Sequence, residues 1–357
     1  VAKTPSVGAV PEPGAMVTFA VEVHNTSVEP VTLEALDDDV FGNLLFAGNP
    51  ALAAGTCAEQ PSVIPPGGTL ACTFDGFVAG DAGGPAHTNT VTAAAVDDEG
   101  NPASDSDDAV VAFGDVGPTI DVLKEAATGA IPEPGGMVRF RVEVRNTSPE
   151  ETELVSLLDS IFGDLRDPAN ALVSANDCPA QPPVIAAGGM LTCEFEGLVA
   201  GDAGDPDHVN TVRAVVRDGE GNTASAADDA GVVFADAPPA LVLVKSAVPG
   251  TVAEPGGWVA FTVAVDNLSA EAVTLTSLAD DVFGDLLEAG NPAVEDNTCP
   301  AQETLLPPAG TFACSFRALV AGDFGDPSHM DTITARARDD EGNSATAAGS
   351  ARVLFAD

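Results

Sequence analysis

The sequence predicts an all-β protein made of three tandem β-sandwiches, and three observations lead to this prediction. The chain repeats itself with a fixed period of 121 residues, as the positions of Cys57, Cys178 and Cys299 illustrate. Within each repeat apolar and polar residues alternate, which is typical of strands with one buried face. The 36 glycines and 28 prolines separate the alternating runs, as expected for a sandwich of short strands.

The alternation also places the strands within a repeat. Val17, Phe19, Val21 and Val23 form one face of the clearest strand, and the second and third repeats keep this pattern. No stretch has a convincing helical period of 3.6 residues. We expect about seven strands per repeat, which in the first repeat are A near 1–5, B 16–24, C 30–36, D near 60–64, E 69–78, F 87–97 and G 107–114.

A period of this length corresponds to a whole domain rather than to one turn of a solenoid. The repeat predicts domains at 1–115, 122–236 and 243–357, joined by linkers at 116–121 and 237–242. Both linkers are short and contain proline, so they form stiff tethers. We therefore expect an extended rod, with a length of about 120 Å from the strand lengths.

The charge balance excludes several classes of function. The chain has 55 acidic and 13 basic side chains, for a net charge of −42. Nucleic acids and anionic membrane surfaces require basic patches, so neither is expected as a partner. No apolar run reaches the roughly 18 residues of a membrane span. No catalytic motif stands out, and we do not expect an enzyme.

The six cysteines form three pairs, each with a separation of 15 residues. No CxxC motif or Cys/His cluster indicates a zinc site. The spacing favours one disulfide within each repeat, and disulfides persist outside the cytosol. An extracellular or cell-surface location follows. The predicted pairs are Cys57 with Cys72, Cys178 with Cys193, and Cys299 with Cys314.

Three segments of each repeat resemble a known module. The run from Pro13-Gly14 through Val17–Val23 to Asn25-Thr26-Ser27, with the later NTVTA and DDEGN segments, is similar to prokaryotic Ig-like surface repeats. That family is a conserved repeat domain of unknown function, and the resemblance covers all three repeats. It implies three tandem immunoglobulin-like β-sandwiches, and it supplies no catalytic residue.

The acidic residues concentrate in the predicted turns, and short acidic loops are suitable ligands for Ca²⁺. In an immunoglobulin-like sandwich, the turns after strands A, C and E share one end with the outgoing strand G. The candidate ligands at these ends are Glu12, Asp38, Asp39, Asn43 and Asp81 in the first repeat, Glu133, Asp159, Asp164 and Asp202 in the second, and Glu254, Asp280, Asp281, Asp285 and Asp323 in the third.

This arrangement predicts joints between consecutive repeats. Asp115 should lie at the bottom of the first repeat, and Asp218 and Glu220 at the top of the second should face it across the linker. A calcium ion there would offset the repulsion of like charges and stiffen the joint. The alternative is that Asp, Asn and Gly simply form turns and that acidity keeps the protein soluble.

Two further columns of the repeat have more than one interpretation. Lys3, Lys124 and Lys245 are the only lysines, and each lies on strand A. Such a lysine either protects an edge strand, pairs with nearby carboxylates, or forms an intramolecular amide bond with Asn or Asp. The Asn-x-Ser sequences form B–C turns or accept glycans, with Asn25, Asn146 and Asn267 as the candidate glycosylation sites.

These observations favour a structural protein, a tandem rod in a cell-surface stalk or in a head-to-tail filament. Its expected partners are neighbouring repeats or copies of itself, joined end to end. The alternative is an adhesin whose loops bind a glycan or a protein. Aromatic residues make up only 5% of the chain and there is no tyrosine, which speaks against an adhesive tip.

Overall fold

A computed structural model describes residues 1–60 and 62–357 of the chain, and it is all-β. Three similar units follow one another, each with two β-sheets and its own hydrophobic core. The described residues include one short 3-10 turn, Cys57–Glu59. No helix in this part of the chain is long and apolar enough to cross a membrane.

The strands of unit 1 are β1 Ala2–Pro5, β2 Ala9–Pro11, β3 Gly14–His24, β4 Val31–Asp38, β5 Gly42–Asn43, β6 Ala54–Gly55, β7 Val63–Ile64, β8 Thr69–Ala79, β9 His87–Val96 and β10 Pro102–Gly114. One sheet has the order β1-β3-β8-β6 and the other has the order β2-β10-β9-β4-β5, with β7 paired to β4. All neighbours are antiparallel except β2 and β10, which are parallel. This is an immunoglobulin-like sandwich whose first strand is divided between the sheets.

Unit 2 repeats this order. Its strands are β11 Ile120–Ala126, β12 Ala130–Pro132, β13 Gly135–Asn146, β14 Thr152–Asp159, β15 Gly163–Asp164, β16 Val173–Ser174, β17 Val184–Ile185, β18 Met190–Ala200, β19 His208–Arg217 and β20 Thr223–Ala235. The sheets are β11-β13-β18-β16 and β12-β20-β19-β14-β15, with β17 on β14.

Unit 3 has the same arrangement with one short strand fewer among its described residues. Its strands are β21 Leu241–Val248, β22 Thr251–Ala253, β23 Gly256–Asn267, β24 Val273–Asp280, β25 Gly284–Asp285, β26 Thr304–Leu306, β27 Thr311–Ala321, β28 His329–Arg338 and β29 Ser344–Ala356. The sheets are β21-β23-β27 and β22-β29-β28-β24-β25, with β26 on β24.

The all-β prediction is confirmed, with two differences in detail. The predicted strand D is reduced to the two residues of β7, which pair with β4. The last strand begins at Pro102 rather than at residue 107, because its polar first half continues the ladder with β9 outside the core. Hydrophobic alternation cannot reveal such an extension, since neither face of it is buried.

Each core is centred on three phenylalanines and a disulfide. In unit 1 the rings of Phe19 and Phe74 stack at 5.2 Å, and Phe41 packs against both. The cysteine pairs predicted from their spacing are bonded in all three units. Closing a loop of 15 residues contributes about 3 kcal/mol in the chain-entropy account.

Candidate functional sites at the joints and in the cores

One glutamate organises the lower end of each of the first two units. Glu12 follows β2 directly and is only 2% exposed. Its Oε2 accepts a hydrogen bond of 2.6 Å from the N–H of Ala82, and its Oε1 accepts another of 2.6 Å from Val116. Glu133 makes the corresponding bonds in unit 2, to Ala203 and Ala237. The glutamate therefore ties the β8–β9 loop to the start of the linker.

The structure brings this glutamate together with carboxylates of the following unit. We call the two resulting clusters joint 1 and joint 2. In each cluster four carboxylates offer oxygen atoms that lie within 4.8 Å of one another. Joint 1 consists of Glu12, Asp81, Glu150 and Glu220, and joint 2 of Glu133, Asp236, Glu271 and Glu341.

An asparagine adds direct hydrogen bonds across each joint. Nδ2 of Asn222 in unit 2 donates to Oδ2 of Asp115 in unit 1, at 2.9 Å, and to Oδ2 of Asp218, at 3.0 Å. Asn343 and Asp236 repeat the contact at joint 2, at 2.6 Å. Asp115, Asp218 and Glu220 also converge. As predicted, Asp218 and Glu220 of unit 2 lie opposite Asp115 of unit 1.

The joints concentrate negative charge without a compensating cation from the chain. In the part of the chain that the structure describes, none of the eight joint carboxylates forms a salt bridge. Burial, followed by the charges of Glu12 and Asp81, raises the pKa of Glu150 to about 7. Burial and the neighbouring Glu133 raise the pKa of Glu271 to about 8. Repulsion of this kind favours either a proton or a bound cation.

The donor set fits a hard divalent cation. Carboxylate oxygens are the preferred ligands of Ca²⁺, which takes six to eight of them, often together with water. The Oε1 atom of Glu271 is buried and has no hydrogen-bond partner among the described residues, so joint 2 offers an unused ligand atom. Glu150 and Glu271 would supply the ligands from the upper unit, and Glu12 and Glu133 those from the lower unit.

The structure does not bring the other predicted ligands to these joints. Asp39 and Asp281 accept hydrogen bonds from Thr90 and Thr332 and stabilise the end of a strand. Three further candidates cap the next turn by accepting a backbone hydrogen bond: Asn43 from Leu45, Asp164 from Arg166 and Asp285 from Leu287.

The columns of Glu12 and Asp81 have their third members, Glu254 and Asp323, at the lower end of unit 3. Glu254 is exposed and accepts a hydrogen bond from Phe324, and Asp323 is also exposed. Asp202 lies beside joint 2, and its pKa is raised by burial and by Asp340. Glu254 and Asp323 therefore belong to neither joint 1 nor joint 2.

Asp236 of joint 2 is not among the predicted ligands, although Asp115 of the same column is predicted at joint 1. Glu150, Glu271 and Glu341 are also not among them. They lie in the B–C and F–G turns, which occupy the upper end of an immunoglobulin-like sandwich. The signal was present in the repeat, since Glu29, Glu150 and Glu271 form one column. The candidate set was restricted to the lower ends of the units, and the upper half of each joint was therefore incomplete.

Asp38, Asp159 and Asp280 require a correction, because they lie in the cores rather than at the joints. Asp38 is 3% exposed, and its Oδ1 accepts hydrogen bonds from the N–H groups of Val40 and Phe41. Its Oδ2 lies 2.6 Å from Nζ of Lys3, and neither side chain is exposed. We call this pair and its neighbour Asn89 the buried lysine site of unit 1. Of the interpretations of the lysine column, a solvent-exposed edge lysine is thereby excluded.

The buried lysine site recurs in the other units. Lys124 Nζ lies 2.5 Å from Oδ2 of Asp159, with Asn210 in the third position. In unit 3, Lys245 Nζ lies 2.5 Å from Oδ2 of Asp280 and also contacts Oδ2 of Asp331, which replaces the asparagine. Phenylalanine rings line each site, the nearest centroid lying 4.6–5.0 Å from Nζ.

The asparagines of the glycosylation sequences also have structural roles. Asn25, Asn146 and Asn267 are buried, with at most 5% exposure. The Nδ2 atom of Asn25 donates hydrogen bonds to the carbonyl groups of Glu29 and Ile64, which closes the B–C turn. A glycan on Nδ2 would replace one of its two N–H hydrogens, and Nδ2 uses them to bond backbone carbonyls. Turn formation accounts for these asparagines, and their glycosylation stays a prediction.

Comparisons with known proteins show limited similarity. No protein-family model and no curated protein matches the chain. A solved structure of a Ca²⁺-stabilised adhesin from an Antarctic bacterium that binds ice covers 96% of this chain and 69% of that one, at 15% identity and a TM-score of 0.24. A tetra-tandem repeat from the extending region of a large adhesion protein covers 98% and 73%, at 14% identity and a TM-score of 0.24.

Domains 3–6 of protocadherin gamma B2 cover 98% of this chain and 70% of that one, at 14% identity and a TM-score of 0.28. At such TM-scores and identities the similarities carry no argument about function. The fold class rests on the sheet order described above.

Proposed function

We propose that the chain is an extracellular structural protein, a rod of three immunoglobulin-like domains that forms part of a cell-surface stalk or of a head-to-tail filament. The domains are 1–115, 122–236 and 243–357, and the linkers are 116–121 and 237–242. Calcium ions bound at joints 1 and 2 stabilise the rod. The observation that carries this proposal is the convergence of the same three glutamate columns, those of Glu12, Glu150 and Glu220, at both joints, with an aspartate from the lower unit as the fourth carboxylate.

The electrostatics of the joints support the calcium proposal. Two unit charges 4 Å apart repel each other by about 1 kcal/mol in water and by about 4 kcal/mol near a protein surface. Four carboxylates within 4.8 Å of one another would therefore push the units apart unless protons or cations intervene. The raised pKa values of Glu150 and Glu271 express the same repulsion. A divalent ion bound between the carboxylates replaces this repulsion by attraction and holds the units together.

The columns that form the joints recur in units 1 and 3. Glu29 and Glu99 of unit 1 belong to the columns of Glu150 and Glu220, and Glu254 of unit 3 belongs to the column of Glu12. A head-to-tail contact between two copies of the chain would therefore bring together the same glutamate columns as joints 1 and 2. Such a contact propagates into a filament.

Small-angle X-ray scattering with calcium and with a chelator tests the proposal. With calcium we expect a single maximum dimension of about 120 Å, the length of a straight stack of three domains. With chelator we expect a broader distribution of distances, because the charged joints open. A wild-type curve that is the same in both conditions would contradict calcium-held joints. A globular curve in both would contradict the rod.

A matched pair of variants assigns any effect to the joints. Glu150→Gln with Glu271→Gln replaces one carboxylate at each joint by a neutral carboxamide, so the calcium concentration that narrows the distance distribution should rise about tenfold or more. Glu29→Gln changes the same column at the upper end of unit 1, outside joints 1 and 2, and both variants are measured at a dilution at which the chain is a single molecule. It should keep the wild-type response. If the two variants behave alike, calcium acts elsewhere on this acidic surface.

A further inference from the structure

Each unit encloses an amine, a carboxylate and a third carbonyl-bearing side chain in a pocket that excludes water. The side chains of Lys3 and Asp38 are not exposed at all, and Asn89 is 0% exposed. Phe19 and Phe74 cover the amine, with ring centroids 5.0 and 5.8 Å from Nζ. Keeping an ammonium and a carboxylate charge in such a buried pocket costs free energy, which a reaction between neutral groups would avoid.

The amine and the third side chain are held against the same carboxylate oxygen. Oδ2 of Asp38 accepts a hydrogen bond of 2.6 Å from Nζ of Lys3 and one of 2.9 Å from Nδ2 of Asn89. Nζ also donates to the backbone carbonyl of Asn89, at 2.7 Å. These bonds fix the amine beside the carboxamide and place the carboxylate where it can carry protons between them.

Units 2 and 3 hold the same groups. In unit 2, Oδ2 of Asp159 accepts hydrogen bonds from Lys124 and Asn210. In unit 3, where Asp331 replaces the asparagine, Nζ of Lys245 contacts the Oδ2 atom of Asp331 directly. The reacting pair is thus an amine with a carboxamide in two units, and an amine with a carboxyl group in the third.

The pocket favours neutral reactants. Burial lowers the pKa of Lys3 and of Lys124, which favours the uncharged, nucleophilic amine. Burial raises the pKa of Asp331, which favours the carboxylic acid over the less reactive carboxylate. Transfer of one proton from the lysine to the partner aspartate gives an uncharged amine and a carboxylic acid, and it does not change the net charge of the pocket.

Beside each buried lysine site, two buried polar atoms have no hydrogen-bond partner among the described residues. They are the side-chain oxygen Oδ1 of the third residue and Nε2 of a histidine two positions earlier: Asn89 and His87, Asn210 and His208, Asp331 and His329. In unit 3 these atoms lie 3.7 Å apart. An imidazole N–H in this position can stabilise negative charge that develops on Oδ1.

We propose that each unit forms an intramolecular amide bond, between Lys3 and Asn89, between Lys124 and Asn210, and between Lys245 and Asp331. The lone pair of Nζ attacks Cγ of the acceptor, and the C=O electrons move to Oδ1. In units 1 and 2 the partner aspartate takes a proton from Nζ and delivers it to Nδ2, and the C–N bond of the carboxamide breaks to release ammonia. In unit 3 Asp280 takes a proton from Nζ and delivers it to the hydroxyl group of protonated Asp331, so that the C–O bond breaks and water leaves. No oxidant or co-reactant is consumed.

The bond ties the two sheets of a unit together. It joins β1 to β9, which belong to different sheets and whose reacting residues are 86 positions apart. Tension applied along the rod would pass through the amide bond, so the chain between the two residues would not be extended. This modification is independent of the calcium joints, which lie at the ends of the units.

The intact mass of the purified chain, measured after denaturation and reduction, tests the proposal. Two ammonia molecules and one water lost give a mass about 52 Da below that of the sequence. The measurement does not depend on refolding. A mass equal to that of the sequence would overturn the proposal and leave three buried ion pairs.

Peptide mapping tests which residues are joined. In the reduced chain, cleavage after glutamate but not before proline separates residues 1–22, 35–59 and 60–99. We expect 1–22 covalently joined to 60–99, with a loss of about 17 Da. A link from 1–22 to 35–59 with a loss of about 18 Da would instead join Lys3 to Asp38 and would overturn the assignment.

Two variants test the role of the aspartate. Asp38→Asn keeps the size of the side chain but removes the proton carrier, and we expect the mass deficit to fall to about 35 Da while units 2 and 3 react normally. Asp39→Asn alters the adjacent exposed carboxylate and should keep the full deficit. Loss of the deficit in unit 1 of the control, or its retention in Asp38→Asn, would contradict a proton-transfer role for Asp38.

Discussion

Asp38 and Glu12 belong to the same unit and are almost equally buried, at 3% and 2% exposure, yet their surroundings differ. Asp38 faces the amine of Lys3 at 2.6 Å. Glu12 faces Asp81, Glu150 and Glu220, with no basic side chain bonded to any of them in the described part of the chain. The core supplies its own counter-charge, whereas the joint does not.

The difference explains how acidic columns that look alike in the sequence serve different purposes. A charge inside one unit can be matched by a residue of that unit, and the match is then independent of solution conditions. A charge cluster shared by two units depends on protons or metal ions from outside. The cores should therefore be insensitive to chelators, and the joints should respond to calcium and to pH.

The largest effect is expected from removing the internal counter-charge. Lys3→Met removes the amine that pairs with Asp38 and with it the amide bond proposed for unit 1, and leaving the carboxylate buried without a partner alone costs about 3–5 kcal/mol. Unit 1 should then unfold separately from units 2 and 3, at a lower temperature, in differential scanning calorimetry. Lys3→Met combined with Asp38→Asn removes the charge but keeps an oxygen for the turn, and it should recover part of the loss. An unchanged thermogram for the single variant would show that the core does not depend on this pair.

A smaller effect is expected from removing one ligand at each joint. Glu150→Gln with Glu271→Gln should weaken calcium binding about tenfold or more, since ligand charge tunes calcium affinity. In chelator the same variant should be slightly more stable than the wild type, because repulsion is relieved. Glu29→Gln is the matched control. Equal calcium affinity in the two variants, measured by calorimetric titration, would break the contrast between joint and core.

The response to pH follows from the raised pKa values of Glu150 and Glu271, about 7 and about 8. In the unfolded chain a glutamate has its ordinary pKa of about 4.3, so the folded joint binds more protons between that value and about 8. Without calcium, the stability of the joints therefore falls as the pH rises through this window. With calcium the sign reverses, because binding releases the protons and tightens as the pH rises.

Thermal unfolding at pH 5.5 and pH 8, each with calcium and with chelator, measures how the stability changes with pH in the two conditions. The midpoint in chelator should fall on going to pH 8, while the shift produced by calcium should grow. The Glu150→Gln, Glu271→Gln variant should lose both trends. A calcium shift that is equally large at the two pH values would contradict protonation of the joint.

The smallest effect is expected at the hydrogen bond between Asn222 and Asp115. Asn222→Ala should destabilise joint 1 by no more than about 1 kcal/mol, because the bond is exposed. Asn101→Ala is the control, since Asn101 occupies the same column in unit 1 and bonds only Asp97 within its own unit. Residual dipolar couplings in chelator would compare the order of units 1 and 2 in the two variants. Equal order would mean that the hydrogen bond does not hold the joint.

The sequence predicts the fold well, because alternation and spacing are local properties. Strands β3 and β9, the cysteine pairs and the facing of Asp115 by Asp218 all follow from the repeat. The position of Asp38 does not, because the last residue of β4 faces inward while its neighbour Asp39 faces solvent. A shift of one residue along a strand decides between core and surface, and composition cannot reveal which of two adjacent aspartates is buried.

The sequence alone also does not identify the partner of Lys3. Asn89 lies 86 positions away in the other sheet, so only the packing of the two sheets brings its side chain to the amine. Similarly, the upper half of each joint depends on how two units are placed, which a repeat period implies but does not determine. Glu150 is an example. Its B–C turn can be located from the sequence, but the approach of its carboxylate to Glu12 depends on how units 1 and 2 are placed.

Calorimetric titration of the chain with calcium, at pH 8 and physiological ionic strength, tests most directly the claim that the joints are held by metal. We expect saturable binding to two sites in the wild type, a dissociation constant about tenfold higher or more in Glu150→Gln, Glu271→Gln, and wild-type binding in Glu29→Gln. Weak, non-saturable binding that is the same in all three proteins would mean that calcium merely screens an acidic surface, and it would contradict the account.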